Sequence, residues 1–253
     1  MSSARPVIAV AGVGNGTGTG AATARLFAKE GYRVALIARN ADDLKNTAAG
    51  ITATGGEAVP FAVQAYDEAS LTSAFGSIKS QWPDSVLRVA VWNAVHPIWR
   101  PFLQITDEEV TEALNTNVRA AFAFSRLAIS MFKENELNEI GKRGSLIFTG
   151  GTSSLKGNAT TSALSAGKFG LRALSQSLNK EFGKDNIHVA HAIIYGNILT
   201  DRVREWKNDP DWEANEDARL NPDSIAKSYL YLANQDRSAW TWELDLRPAH
   251  EEW

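Results

Sequence analysis

Gly12, Gly16 and Gly18 stand in a G-x-x-x-G-x-G spacing directly after the apolar run Val7-Ile8-Ala9-Val10-Ala11 and directly before an alanine-rich stretch containing Ala21, Ala22, Ala24, Leu26, Phe27 and Ala28. Glycines let a backbone take positive φ and let a phosphate come within hydrogen-bonding distance of bare N–H groups, while a new helix offers the charge its positive end. Strand, tight turn and helix in that order therefore predict a pyrophosphate site on the loop from Gly12 to Gly18, with Asn15 and Thr17 inside it. The more familiar dinucleotide spacing, with glycines at i, i+2 and i+5, fits no register here. A second chemical signal is Lys168, which shares a helix face with Leu164 and Leu171 in a stripe continuing through Leu174, Leu178 and Phe182. An ammonium on an apolar stripe needs partners or a lowered pKa, because burying it unpaired is costly; the alternative is a side chain that snorkels to the surface.

The elements that must position these groups follow in regular alternation. Helix one should stop near Gly31, and Arg33–Ala38 reads as a buried second strand. Asn40 can cap a helix from about Ala41 to Ala49; Ala58–Val63 is a third strand, and Asp67-Glu68-Ala69-Ser70 opens another helix with acid at its positive end. Val86–Trp92 is a fourth strand. Thr106-Asp107-Glu108-Glu109 is a capping box for a long helix to about Lys133. Ser145–Thr149 is a fifth strand, Ser162–Phe182 a long helix, and His188–Ile194 a sixth strand. Trp240–Leu246 alternates like a seventh. Near-continuous apolar strands between helices mean a parallel sheet covered on both faces. The expectation is one doubly wound, Rossmann-type α/β domain over residues 1–253 with a seven-stranded sheet, binding ligands beyond the carboxyl ends of its strands. Residues 200–221, charged and carrying Trp206 and Trp212, read as a flap over that site or as a surface excursion.

At 253 residues, 44% of them apolar, the chain can bury a full core. A net charge of −3 with no long basic block argues against nucleic acid or an anionic membrane as the main partner. With no cysteine there are no disulfides and no thiolate metal sites, and no metal is expected. The start, Met1 to Pro6, has neither the charge pattern nor the apolar length of a signal peptide or membrane span, so a cytoplasmic location is the expectation.

Taken in order, these landmarks resemble those of the short-chain dehydrogenase/reductase family over nearly the whole chain. The family's T-G-x-x-x-G-x-G appears as Ala11-Gly12-Val13-Gly14-Asn15-Gly16-Thr17-Gly18, and its N-N-A-G as Trp92-Asn93-Ala94-Val95. The asparagine of its long fourth helix appears as Asn117, its active-site lysine as Lys168, and its P-G-x-x-x-T as Tyr195-Gly196-Asn197-Ile198-Leu199-Thr200. The resemblance implies a nicotinamide cofactor held by the glycine loop, Asn93, Lys168, Ile198 and Thr200, catalytic roles for Asn117 and Lys168, and assembly into dimers or tetramers. NAD-specific sites carry a carboxylate at the end of strand two, NADP sites an arginine. Here the residues are Arg39 and Asn40, with no acid before Asp42, so NADP(H) is favoured. Gln64 stands at the family's adenine-contacting aspartate.

The departures lie in the active site. Four residues before the lysine the family has a tyrosine, the proton donor to the substrate; here it is Leu164, and the family's serine falls on Gly151. If strand geometry persists, Thr149 and Ser153 face the same side as position 151. Thr160, Thr161, Ser162 and Ser165 add hydroxyls near the vacated space, able to orient a carbonyl rather than protonate it. Tyr195 is the one nearby phenol, and His96 can titrate near neutrality. His191 reads as a hydrogen-bonded core histidine. Trp92, Trp99, Trp206 and Trp212 are expected to border the cleft and suit a planar or apolar substrate. Three functions stay open: an NADP-dependent oxidoreductase on a carbonyl, alcohol or imine; a non-redox isomerase or cyclase; and an inactive NADP-binding sensor or partner protein.

Overall fold

The computed structural model describes residues 5–252; the stretch Met1–Ala4, part of the segment read above as neither leader nor span, lies outside the described residues, as does Trp253. Seven strands form one parallel sheet in the order β3-β2-β1-β4-β5-β6-β7: β1 Val7–Ala11, β2 Arg33–Ala38, β3 Glu57–Ala62, β4 Leu87–Trp92, β5 Gly144–Thr149, β6 Ile187–Ile194 and β7 Glu243–Leu246. The chain order reverses between β1 and β4, which opens a crevice at their carboxyl ends. Every residue of β1 and β6 is buried, as a sheet covered on both faces requires. Pro60 sits in edge strand β3, where a missing ladder N–H is tolerated.

Helices α1 (Thr19–Lys29), α2 (Ala41–Ala53) and α9 (Pro222–Asn234) cover one face, packing Phe27, Leu44 and Tyr229 on Ile8, Val10 and Ile147. The other face is covered by α3 (Glu68–Gln81), α5 (Ala120–Glu134) and α6 (Ser162–Phe182), which bring Phe75, Phe124 and Leu171 onto Ala9, Ala90 and Phe148. Helix α2 runs past Gly50, four residues beyond the expected end, because Leu44, Ala48 and Ile51 keep one face buried. The capping box at Thr106 is present and starts α4 (Asp107–Leu114). The expected single helix to Lys133 is instead interrupted by a π-helical turn, Asn115–Arg119, before α5. Such bulges are frequent at functional sites, and this one contains Asn117. The seventh strand is shorter than its alternation implied: Trp242 still accepts the His191 N–H through its carbonyl, but Trp240 and Thr241 stand before the strand. Residues 200–221 hold two short helices, α7 (Asp201–Lys207) and α8 (Pro210–Ala214). Among the described residues no helix is long and apolar enough to cross a membrane.

Candidate functional site

The glycine loop closes on β4. Gly12 takes φ +93°, and a Cβ there would lie 2.4 Å from the backbone nitrogen of Ala94, so only glycine lets the two strand ends approach. Asn93 then donates from Nδ2 to the Gly12 carbonyl at 2.6 Å, and Gly20 on α1 leaves the same carbonyl room, since a Cβ would meet it at 2.3 Å. Beyond the loop lies a cavity of about 620 Å³ lined by Gly12, Gly14, Arg39, Asn93, Thr200 and Arg202 among others. Thr200 caps α7 by accepting from the Val203 N–H, and its methyl would be 3.7 Å from a Cβ on Gly18. Ile198 is held there by a bridge to Leu220. The loop side chains are engaged with their neighbours: Asn15 Oδ1 accepts from Thr17 Oγ1 at 2.8 Å, and Asn15 Nδ2 donates to Asp201 at 3.0 Å.

At the end of β2 the Arg39 guanidinium lies 5.7 Å from the ring centroid of Tyr66 and pairs with no carboxylate among the described residues. Burial pushes the Tyr66 phenol up to about 12, so it stays neutral beneath the cation. Asn40 spends its side-chain oxygen on capping α2, accepting from the Asp42 and Asp43 N–H groups. Gln64 is exposed on the lip of an adjoining cavity of about 800 Å³ that shares Arg39 and Tyr66.

Lys168 does not snorkel. It is buried, Nζ donates to the Thr149 carbonyl at 2.8 Å, and desolvation lowers its pKa to about 8. That bond uses one of its three donor hydrogens, and no other protein acceptor lies within reach among the described residues. Asn117, fully buried in the π turn, binds the His96 backbone twice: its Oδ1 accepts from the N–H and its Nδ2 donates to the carbonyl, both at 3.1 Å. Its amide thus fixes the chain leaving β4. Gly167 permits this, because a Cβ there would sit 2.8 Å from that of Asn117.

The strand parity extended past Thr149 fails. β5 ends at Thr149, residues Thr152–Ser154 form a 3-10 turn, and the Thr149 hydroxyl points into the opposite layer, 2.7 Å from the Tyr229 hydroxyl. Thr149 therefore offers the cleft its carbonyl only, while Ser153 stays half-buried in the turn. Leu164 is buried. Tyr195 is buried as well, with the Arg247 guanidinium 3.7 Å and the Lys156 ammonium 5.2 Å from its ring centroid. His96 has its Nδ1 3.3 Å from Glu112 Oε1.

His191 is the expected core histidine with an unexpected chain of partners. Its Nδ1–H donates to Glu243 at 3.2 Å, and Arg172 on α6 grips the same carboxylate through two bonds of 2.7 Å. Burial works against ionisation of Glu243, yet the Arg172 fork holds its carboxyl below the usual range. The Nε2 of His191 faces Gly150, where a Cβ would come within 2.3 Å, and has no hydrogen-bond partner among the described residues. Desolvation lowers the pKa of His191, and that of His188 stacked on Trp240, to about 4. Between pH 6.5 and 4 the unfolded chain binds a proton at each that the folded chain refuses. Stability is therefore fully present above pH 6.5 and falls as pH drops towards 4, by about 3 kcal/mol per histidine. Thermal melts across that range are expected to show the decline, and His188→Phe, which keeps the stack, to reduce it by about half, the His191 share remaining; an unchanged slope would assign the acid sensitivity elsewhere.

Of the four tryptophans expected at the cleft, Trp92 is a correction. It is fully buried between Phe124 and Tyr66, because the sheet residue before Asn93 points into the α5 layer. Trp212 is buried too, with its N–H donated to the Ala218 carbonyl. Trp99 and Trp206 are exposed, and the Arg202 guanidinium lies over the Trp99 ring. The contacts of Arg202 and Asp201, the Tyr66 platform and the Glu243–Arg172 pair behind His191 were not foreseen. The tandem Asp201-Arg202 after Thr200 is the one available signal, but the loop partners of Asp201 stand more than 180 residues away and the Arg202 partner, Trp99, lies on the segment leaving β4.

Comparison with known proteins agrees with this architecture. The chain is 30% identical over 187 residues to the bovine (Bos taurus) 3-oxoacyl-[acyl-carrier-protein] reductase, covering 73% of each chain. The crystal structure of a short-chain dehydrogenase from Rhodopseudomonas palustris superposes with a TM-score of 0.78 at 30% identity, covering 96% of this chain and 98% of the other. A metagenomic short-chain oxidoreductase in complex with NADP gives a TM-score of 0.77 at 23% identity, covering 99% and 100%. Residues 7–211, from the first strand through the glycine loop and the buried lysine to α7 and the start of α8, match the family described as short chain dehydrogenase, and it is to this family that the chain belongs.

Proposed function

We propose that the protein is an NADP-dependent oxidoreductase acting on a carbonyl, alcohol or imine, with a proton-handling arrangement of its own. The observation that carries the cofactor choice is Arg39: an uncommitted guanidinium at the end of β2, opening on the glycine-loop cavity, with no carboxylate paired to it. A 2′-phosphate would meet there a charge-assisted fork; the carboxylate that lines the same cavity, Asp43, stands on the first turn of α2 and makes no ion pair with Arg39. The cavity fits the group in a second respect, since Gly14 lines it with open space where a Cβ would stand, leaving bare backbone for a phosphate to approach. The relative named as a 3-oxoacyl-[acyl-carrier-protein] reductase and the neighbour in complex with NADP support the same reading.

Bound there, the cofactor would supply hydride at its nicotinamide ring. The chain supplies binding and orientation, which account for much of what such a transfer needs. Lys168 would present its remaining N–H donors to ribose hydroxyls from a buried position, Asn117 fixes the backbone at His96, and Thr200 lines the cavity with Ile198 two residues before it. With Leu164 and Gly151 where the family has its tyrosine and serine, Ser153 is the hydroxyl left to orient a carbonyl oxygen, and Tyr195, buried under Arg247 and Lys156, is the candidate phenol. An iminium substrate accepts hydride without a proton donor, which places imines beside carbonyls as substrates.

Calorimetric titration tests this directly. Arg39→Ala is expected to weaken NADPH binding by roughly 30-fold, the loss of a charge-assisted contact, while NADH changes less than about threefold. Equal losses would reject the phosphate contact. Tight NADPH binding without turnover on a carbonyl and imine panel would remove the redox assignment and leave a non-redox enzyme or a sensor.

A further inference from the structure

Helix α7 is fastened to both lips of the cleft. On one side the Asp201 carboxylate accepts from Asn15 Nδ2 at 3.0 Å, and the Asp201 N–H donates to Thr17 Oγ1 at 3.2 Å, so the helix is tied to the glycine loop itself. On the other side the Arg202 guanidinium stacks over Trp99, 5.4 Å from the ring centroid, on the segment leaving β4. The charges on α7 are unequally committed. Asp201 is neutralised by Arg204 at 3.0 Å, and Arg204 also reaches Glu213 at 2.8 Å. Arg202 makes no ion pair among the described residues, yet it lines the same cavity as Gly12, Gly14 and Thr200.

A guanidinium stacked on an indole keeps its edge donors free, and the stack limits the orientations it can take. The cavity thus holds two uncommitted arginines, Arg39 at the β2 end and Arg202 at the β4 end, with the bare glycine loop between them. We propose that Arg202, held by Trp99, is a second anion ligand of the site, reading the pyrophosphate of the nucleotide from the α7 side while Arg39 reads the 2′-phosphate. The two arginines then divide the work: Arg39 selects between nucleotides, and Arg202 adds affinity that both nucleotides share. This rests on the nucleotide reading above. The latch from Asp201 to Asn15 and Thr17 places Arg202 over the loop in advance, so little ordering is left for binding.

The test is a double-mutant cycle read by calorimetry and by competition. Arg202 and Trp99 are both exposed, so their variants are expected to fold. Arg202→Ala should weaken NADPH and NADH alike by roughly 20-fold, leaving their ratio unchanged, and Arg202→Lys should recover part of the loss. Trp99→Leu should cost about fivefold, and the double variant should be no worse than Arg202→Ala alone, because the indole acts through the arginine. Inorganic pyrophosphate should lose its ability to compete in the same variants, whereas adenosine 2′-monophosphate should keep it. Unchanged nucleotide affinity in Arg202→Ala, or an equal loss of adenosine 2′-monophosphate, would overturn the assignment while leaving Arg39 and the cofactor reading intact. A wild-type protein that binds neither nucleotide would overturn the cofactor reading itself, and this assignment with it.

Discussion

Gly12→Ala is expected to lower the melting temperature by ~10 °C or more and to abolish nucleotide binding, whereas Gly14→Ala, two residues on, should cost only a few degrees. Both glycines have positive φ, +93° and +67°, and both substitutions carry a left-handed penalty of about 1 kcal/mol. The difference is what the new methyl meets. At position 14 nothing lies within 4 Å; at position 12 the Cβ would be 2.4 Å from Ala94 N and 2.6 Å from both Ala94 Cα and the Asn93 carbonyl carbon. Those are backbone atoms that cannot rotate away. The β1 and β4 ends must separate, the Asn93 bond to the Gly12 carbonyl breaks, and the cost rises above about 3 kcal/mol, each kcal/mol being about 2–4 °C in a chain of this size. Equal melting temperatures for the two variants would show that the strand ends are free to part.

Lys168→Met is expected to act in opposite directions on stability and on binding. The ammonium is buried with a single carbonyl partner, so replacing it by an apolar side chain of similar length relieves desolvation; the melting temperature at pH 7 should hold within about 3 °C or rise. Nucleotide affinity should nevertheless fall by roughly tenfold or more, because the donors left over after Thr149 go with the ammonium. The pH dependence adds an independent signature. Since the folded-state pKa of Lys168 is lowered to about 8, the unfolded chain holds its proton more tightly up to about 10.5, and wild-type stability gains up to about 3 kcal/mol from this group as pH rises through that window. Lys142, also lowered to about 8 by burial, gives a parallel gain that the variant retains. The methionine variant should therefore show a smaller rise than the wild type between pH 8 and 10. Unchanged affinity together with an unchanged pH profile would make Lys168 a core residue with no part in the site.

Much of this was legible in residue order. The period of the apolar residues and the glycine, asparagine and threonine stops placed β1, β2, β4, β5 and α6 within a residue or two, since each is decided by burial on a known face and by local capping. The glycine spacing, Arg39 without an acid, and Lys168 on a leucine stripe are likewise local facts. They predicted a phosphate loop, an arginine at the ribose end and a lysine in need of partners, and the structure puts the loop and Arg39 on one cavity and buries Lys168. Where the reading failed, it extended a local rule past the point at which the chain stops obeying it. Alternation carried beyond Thr149 puts Thr149 and Ser153 on one side with position 151, but parity holds only while the strand lasts and two glycines end it; Thr149 keeps the parity of Ile147 and faces the Tyr229 layer. The segment that carries Trp92 runs to the cleft, which is why that tryptophan is expected there, yet a strand residue one step before Asn93 points through the sheet into the α5 layer.

What the sequence determined by itself is the fold class, the order of its elements and the family, since periodicity and turn chemistry act over a few residues and recur along the chain. What only the tertiary structure decided is which polar groups are spent and which are left over. Asn40 is consumed by a helix cap, Asn117 by the backbone of His96, and Asp201 by Asn15 and Arg204, whereas Arg39, Arg202 and the remaining donors of Lys168 stay uncommitted. A side chain's partners lie across the sheet, as far as 186 residues away for Asp201 and Asn15, and no spacing rule reaches that far. The physical reason is that desolvation and hydrogen bonding are settled by the packed neighbourhood, which the sequence specifies only through the fold as a whole.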